Sequence, residues 1–392
     1  LQQEFMPPHD MGEFQVYFKT APDASIAETE DRLKAVLATL EEIPELDHTY
    51  ASIAARESDT VRDANVFIKL VDRTERSRRQ EEIMSEVRAS LAEIPGIVPS
   101  VMQAEHFDDR KALLVSVQGQ DLKLLKEYAA RLKDALYRVP GVVDLEVSLE
   151  HETPEYRLVV DRERTEDAGV NTAAIVRTVG SLVGGLAVST FEDEDGDAVD
   201  VRVRLPENAR GEIAQVGNLR LAVHNPALGM TLVRLGDLAK VERSTTPSEI
   251  VRRDLSREVM VSANLDGIPL GTAALAVERA AGNLNMMPGY RVVLSGQAEA
   301  MGEDFRHLSE ALILAVIMVY LILAAQFESF IDPLAIMLSL PLSIVGMAAM
   351  LLLTGDTINI MSLIGLIMLM GLVTKNAILL VDCTKGLRSR GV

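Results

Sequence analysis

One lysine stands where a lysine is costly. Lys375 follows an 18-residue run without charge, Thr357–Thr374, and apolar residues resume after Asn376 and continue to Val381. An ammonium near the middle of a membrane-spanning helix costs about 2.5–3.5 kcal/mol on insertion scales, so such a group is usually paired and functional. A long side chain can instead snorkel to the interface. Fourteen residues separate Met361 from Lys375, about 21 Å of helical rise, and seven more lead to Asp382, which puts Lys375 well inside. A buried ammonium calls for a carboxylate, yet Glu328, Asp332, Asp356 and Asp382 all lie near span ends or loops. A lysine that gains and loses such a partner is a proton-coupling element. Lys375 and its neighbour Asn376 are therefore the candidate proton relay.

Other constellations are weaker. Asp193-Glu-Asp195-Gly-Asp197 begins like a calcium loop, but position twelve, where a bidentate glutamate belongs, is Arg204. A solvated hairpin turn accounts for it. Gly180-Ser-Leu-Val-Gly184-Gly185 lacks the lysine of a phosphate-binding loop and reads as a helix end before a strand. His9, His48, His106, His151, His224 and His307 are scattered without metal-ligand spacing, and the methionines before the spans are dispersed apart from Met286-Met287. Neither a metal nor a cofactor is expected, and no nucleophile has a base at recognisable spacing.

The elements that must carry Lys375 are membrane helices. Uncharged runs of 17, 23 and 18 residues occupy Ala311–Phe327, Pro333–Gly355 and Thr357–Thr374, and a crossing needs about 20. Lys385, Arg388 and Arg390 follow the third run, so that end is expected to be cytoplasmic and the large region up to residue 306 to lie on the opposite side. That region holds 35 of the 39 basic and 53 of the 58 acidic residues. Its strongly negative charge excludes nucleic acid as a partner. The single cysteine, Cys383, excludes internal disulfides. The chain opens at Leu1 and stops at Val392, and is expected to be an internal fragment of something longer.

The charged region repeats a unit. Its helices end in a shared phrase, Leu40-Glu-Glu-Ile-Pro44, Leu91-Ala-Glu-Ile-Pro95-Gly96, Leu136-Tyr-Arg-Val-Pro140-Gly141 and, more loosely, Met287-Pro288-Gly289. Proline lacks an N–H and glycine accepts the left-handed turn, so each phrase stops a helix before a strand. Ser25-Ile-Ala-Glu28 reads as a capping box opening a helix towards Ile43. Between about Asp161 and Pro247 the rhythm changes to a helix at Asn171–Val183 and strands at Leu186–Asp193 and Ala198–Leu205. This stretch reads as an insertion within a repeat of split βαβ units.

Gly371–Asp382, with its Lys-Asn-Ala-Ile-Leu-Leu-Val core, resembles the tenth transmembrane helix of resistance–nodulation–division (RND) efflux pumps. Phe5-Met-Pro-Pro-His-Asp-Met-Gly12, Val160–Val170, Ser295-Gly-Gln-Ala-Glu-Ala-Met301 and the stretch from Ile331-Asp-Pro to Gly346 resemble, in order, the family's entry into its second periplasmic loop, the lead into its docking subdomain, and the approaches to helices eight and nine. The resemblance implies an α+β periplasmic region, made of repeated ferredoxin-like porter subdomains plus a docking subdomain, followed by an α-helical membrane unit of three transmembrane helices. It places a first porter subdomain at 1–105, a second at 106–160 continued at 248–306, the docking subdomain at 161–247 and helices eight to ten at 307–392. It implies part of a proton-driven antiporter in a bacterial inner membrane, of the hydrophobe and amphiphile branch, with a lysine matching Lys375 that pairs with aspartates on another helix. It further implies a homotrimer in membrane lipid, working with a periplasmic adaptor and an outer-membrane channel. Where the family's drug exporters carry several phenylalanines, this chain has Tyr50-Ala-Ser-Ile-Ala-Ala-Arg-Glu-Ser58 and Phe67. Tyr50 and Phe67 are the aromatic candidates for substrate contact. The heavy-metal branch is the alternative substrate reading, and a membrane-anchored sensor or scaffold is the alternative class, one that would tolerate replacement of Lys375.

Overall fold

The computed structural model describes all residues except 1, 7–8, 56–58, 105–110, 150–151, 194–195, 207–212, 226–228, 248–249 and 392. Pro7, Pro8, Arg56, Glu57, Ser58, His106, His151, Glu194 and Asp195, singled out in the sequence, lie outside the described residues.

In β1 (Glu13–Lys19) Phe14, Val16 and Phe18 are buried while the residues between them are half-exposed, the period-two pattern of a strand with one core face. The chain continues through α1 (Ile26–Leu40), β2 (Leu46–Ile53), β3 (Asp63–Leu70), α2 (Gln80–Ala92) and β4 (Val98–Gln103). Ser25 caps α1 by accepting the Glu28 N–H at 3.3 Å; the reciprocal half of the expected capping box is not made among the described residues. The strands pair antiparallel in the order β2-β3-β1-β4, the topology of a ferredoxin-like sandwich. Leu33, Val36 and Leu40 of α1 and Ile83, Val87 and Leu91 of α2 cover the apolar face of this sheet.

The unit then recurs. β5 (Leu113–Gly119), α3 (Leu122–Leu136) and β6 (Val142–Val147) form its first half. An inserted stretch follows: β7 (Glu152–Val160), α4 (Arg162–Asp167), α5 (Thr172–Val179), β8 (Leu186–Glu192), β9 (Ala198–Val203), α6 (Ile213–Gly217), β10 (Arg220–Asn225), β11 (Gly229–Arg234), α7 (Leu235–Leu238) and β12 (Ala239–Pro247). The second half is β13 (Arg252–Arg253), β14 (Ser256–Leu265), α8 (Leu270–Gly282) and β15 (Arg291–Ser295). Its strands run β6-β14-β5-β15, with the short β13 also on β14. This repeats the path of the first sandwich, with the insertion between the second and third strands of the unit. Gly96 and Gly141, just past α2 and α3, and Gly289, in the turn before β15, all take left-handed φ, +84° to +90°; α8 itself stops at Gly282, ahead of the Met287-Pro288-Gly289 phrase expected to end it. At Gly141 a Cβ would stand 2.7 Å from the Asp266 carbonyl oxygen, so any side chain there would push α3 off β14.

The inserted unit is compact from Glu152 to Pro247, starting earlier than the expected 161. The reason is pairing: β7 and β12 run antiparallel along their whole length, Glu152 opposite Pro247 and Val160 opposite Ala239. Its own small core gathers Val170, Ile175, Leu221, Leu235 and Leu238. In the hairpin of β8 and β9 the described Asp193 carboxylate accepts the Asp197 N–H at 3.0 Å, a turn-closing bond.

Among the described residues three helical spans are long and apolar enough to cross a membrane. α9 (Gln297–Phe327) runs on directly from β15 through Gly296. The second span is broken into α10 (Ile331–Met337) and α11 (Ser339–Thr354). Pro341 explains the break, since its ring clashes with the carbonyl four residues earlier, that of Met337. α12 (Ile360–Ser389) is the third. Leu340, Leu366 and Met370 form a contact core with Leu312, Val316, Met337 and Met347.

The core of the second sandwich sets a testable contrast on α3. Leu132 is fully buried, whereas Tyr137, just past the helix end, is 78% exposed. Leu132→Ala is expected to cost about 2–5 kcal/mol of stability and Tyr137→Ala less than about 0.5 kcal/mol, read by calorimetry on the purified protein.

Candidate functional site

α12 is fixed at its start and carries its polar group in mid-course. Asn359 caps it, accepting the Ser362 N–H at 2.9 Å, and the Ser362 hydroxyl accepts the Asn359 N–H at 2.9 Å. Leu366, Met370 and Thr374 recur at helical spacing and are buried against the other helices. The Thr374 hydroxyl is spent internally on the Met370 carbonyl at 2.8 Å. Successive helical residues differ by about 100°, so Lys375 and Asn376 turn away from that packed face, and both are exposed. Among the described residues Lys375 makes no ion pair. Ten residues on, Lys385 is held: its ammonium pairs with Asp332 of α10 and lies 5.2 Å from the Phe327 ring centroid. The two lysines of one helix thus have different surroundings, one tied to its own bundle and one presented outward.

Tyr50 and Phe67 are brought together. They are direct cross-strand partners of β2 and β3, on the sheet face opposite α1 and α2. Phe67 is half-buried and Tyr50 is 70% exposed. Gln15 lies across from Phe67 on β1, and Met102 across from Gln15 on β4, so one row spans the sheet.

Sequence reasoning missed an ionic seam between the two sandwiches. A bulge in β6 sets Asp144 and Leu145 against a single residue of β14 and leaves Asp144 at φ +52°. Bulges re-aim side chains, and this one points Asp144 at the first sandwich. Its carboxylate accepts from Arg88 Nε at 3.2 Å, the Val101 N–H at 3.1 Å and Asn264 Nδ2 at 2.8 Å. Arg88 also reaches Asp266 at 3.2 Å, and the Ser85 hydroxyl donates to Asp266 at 2.9 Å. Two residues along β6, Glu146 pairs with Lys19 of β1 and with Lys111 at 3.0 Å. Burial would raise the Glu146 carboxyl, but the charges of Lys111 and Lys19 and their hydrogen bonds outweigh it and hold it at about 2. The alternation Asp144-Leu-Glu146 was the available signal. It could mark a polar strand face but not what that face meets.

Two βαββαβ sandwiches, the second carrying an inserted unit and running straight into helices fit to span a bilayer, define a multi-pass membrane protein with a large extramembrane part. The chain belongs to the AcrB/AcrD/AcrF family of RND transporters, whose family model matches residues 1–392. It is 28% identical over 396 residues to an uncharacterized transporter of Haemophilus influenzae, covering 98% of this chain and 38% of that protein. It is 25% identical over 408 residues to the cobalt-zinc-cadmium resistance protein CzcA of Cupriavidus metallidurans, covering 100% of this chain and 38% of the relative. With the multidrug resistance protein MdtC of Yersinia enterocolitica it shares 24% identity over 388 residues, 97% of this chain and 37% of the relative. A crystal structure of a heavy metal efflux pump superposes with a TM-score of 0.85 at 23% identity, covering 97% of this chain and 40% of that one. The chain thus spans well under half the length of these relatives. Both metal and multidrug pumps stand among them, so the family is established and the amphiphile branch expected from the sequence is left to the proposal below.

Glu146 generates a pH prediction. Its folded pKa, about 2, lies below the ordinary 4.5, so the stability it contributes is fully present above about pH 4.5 and is lost as pH falls from there towards 2. Denaturant titrations across that window are expected to show a shallower decline for Glu146→Gln than for the parent.

Proposed function

We propose that this chain is part of a proton-driven exporter in a bacterial inner membrane, with Lys375 as the group through which proton movement is coupled to transport. The observation that carries the reading is the outward-facing Lys375 and Asn376 on α12, beside a packed face that holds Thr374 and Met370. An ammonium presented from a spanning helix away from its own bundle is stabilised by an acidic partner on another helix. Protonation of that acid removes the attraction and frees the lysine, which is a two-state element that a proton gradient can drive. The mechanism belongs to the whole transporter, of which relatives have more than twice this length. A homotrimer assembled with a periplasmic adaptor and an outer-membrane channel is the assembly we propose, with the two sandwiches and the inserted unit in the periplasm.

For the substrate we propose hydrophobic or amphiphilic compounds met by the Tyr50–Phe67 row. Rings paired across an exposed sheet face offer apolar contact with little rotamer entropy to lose. Metal cations are the second reading, favoured by the CzcA relative at 25% identity.

Two measurements test this. Lys375→Ala, placed in the whole transporter and matched for membrane expression, is expected to abolish protonophore-sensitive dye efflux from energised cells; efflux that survives would show the lysine to be structural. Tyr50→Ala with Phe67→Ala is expected to raise the KM for dyes by about fivefold to tenfold while the maximal rate holds, since an aromatic contact is worth about 1 kcal/mol. Unchanged dye kinetics, together with cobalt, zinc or cadmium sensitivity in a deletion strain, would favour the metal reading.

A further inference from the structure

The chain's first residues make contacts that neither the sandwiches nor the spans require. Residues 2–5 run as a strip between the loop that enters α12 and the start of α8, bridged at Gln3 and bending at Phe5. On one side Gln3 forms a parallel bridge with Ile358: the Ile358 N–H donates to the Gln2 carbonyl at 2.8 Å and the Glu4 N–H to the Ile358 carbonyl at 3.0 Å. The Thr357 hydroxyl donates to Glu4 at 3.0 Å. On the other side the Gly271 N–H, in the first turn of α8, donates to the Gln3 carbonyl at 3.0 Å. Phe5 then packs against the core of the second sandwich. The hydrogen bonds alternate sides as they do along a strand, so the strip is bonded to both neighbours at once.

Two details make the contact demanding. A Cβ on Gly271 would lie 2.7 Å from the Gln3 carbonyl oxygen and 3.0 Å from its Cβ, so only glycine lets the strip seat. The far side is stiff: Asn359 closes its capping box directly after Ile358, and its amide holds the Thr357 carbonyl at 3.2 Å. The strip is therefore fastened to the capped end of the helix that carries Lys375, about 15 residues and some 22 Å of rise away.

We propose that residues 2–5 are a tie that makes α12 and the second sandwich move as one body, with Gly271 as the positioning residue that allows the tie to seat. It rests on the export reading, in which a change at Lys375 must be felt by the extramembrane region. A stiff helix joined by main-chain bonds to a packed sandwich transmits displacement without needing a soft side-chain relay. The tie stays closed throughout the cycle, and its role is to carry motion, not to switch.

The test uses the whole transporter, reconstituted without other cysteines, and a fluorescent amphiphilic dye driven by an imposed pH gradient. Gln3→Cys with Ile358→Cys is oxidised to lock the bridge, and transport is expected to continue at the rate of the reduced protein. A block on oxidation that a reductant reverses would overturn the proposal, because the contact would then have to open. Gly271→Ala is expected to leave the dye Kd unchanged while the transport rate falls by about twofold to thirtyfold, the range for substitutions along a coupling route. Parental transport by that variant would also overturn it. Lys375→Ala with the tie intact separates the two ideas: proton-driven transport surviving there removes Lys375 as the coupling group on which the tie depends, whereas its loss, combined with unimpaired Gly271→Ala, removes only the tie.

Discussion

An ammonium group in hydrocarbon has no good place to rest, and if α12 spans the bilayer as its length and composition allow, the build of the helix bears directly on Lys375. The cost, about 2.5–3.5 kcal/mol on insertion scales, falls on α12 alone unless another group shares it. The helix answers with a rigid build: a fully capped start, a buried face of Leu366, Met370 and Thr374, and a salt bridge from Lys385 to Asp332 towards its far end. A helix held at both ends and along one face keeps its remaining face at a fixed orientation. In the proposed coupling role of Lys375 that constancy matters, since reorganisation at the moment of charge change would otherwise absorb the energy.

The contact between the two sandwiches follows a different logic from their interiors. Each interior is apolar and close-packed, around Phe14, Phe18 and Leu91 in one and Leu125, Leu132 and Val259 in the other. Between them lie Arg88, Asp144, Asp266, Lys19, Lys111 and Glu146. Acids come from the second sandwich and most of the bases from the first, so the sandwiches attract at a definite register without fusing their cores. Polar contacts of this kind specify geometry more than they add net stability.

The sequence made legible what depends on local pattern. Three apolar runs of spanning length and the helix-stop phrases after α1, α2 and α3 have physical signatures shorter than 25 residues, and each corresponds to an element of the structure, whereas α8 ends at Gly282, ahead of the looser Met287-Pro288-Gly289 phrase. Tyr50 and Phe67 were picked out without any sign that they would be cross-strand neighbours. What stayed hidden depends on pairing at long range. The inserted unit begins at Glu152 because of a partner strand some 90 residues later. The aim of Asp144 depends on a bulge defined only against β14. The strip at Gln3 meets Ile358 at the other end of the chain. No periodicity encodes such partners.

The full-length pairing of β7 with β12 carries a consequence for how the chain can vary. Because Glu152 and Pro247 end up opposite one another, the inserted unit opens and closes on one antiparallel strand pair. The chain therefore enters and leaves the inserted unit on adjacent strand ends, whatever lies between them. The entropy of joining β6 to β13 is then set by the width of that strand pair instead of by the length of the excursion. Such an attachment is modular: descendants could lengthen, exchange or trim the inserted part with little penalty to the host fold, and a short turn joining the ends of β7 and β12 is the natural place to graft or remove it.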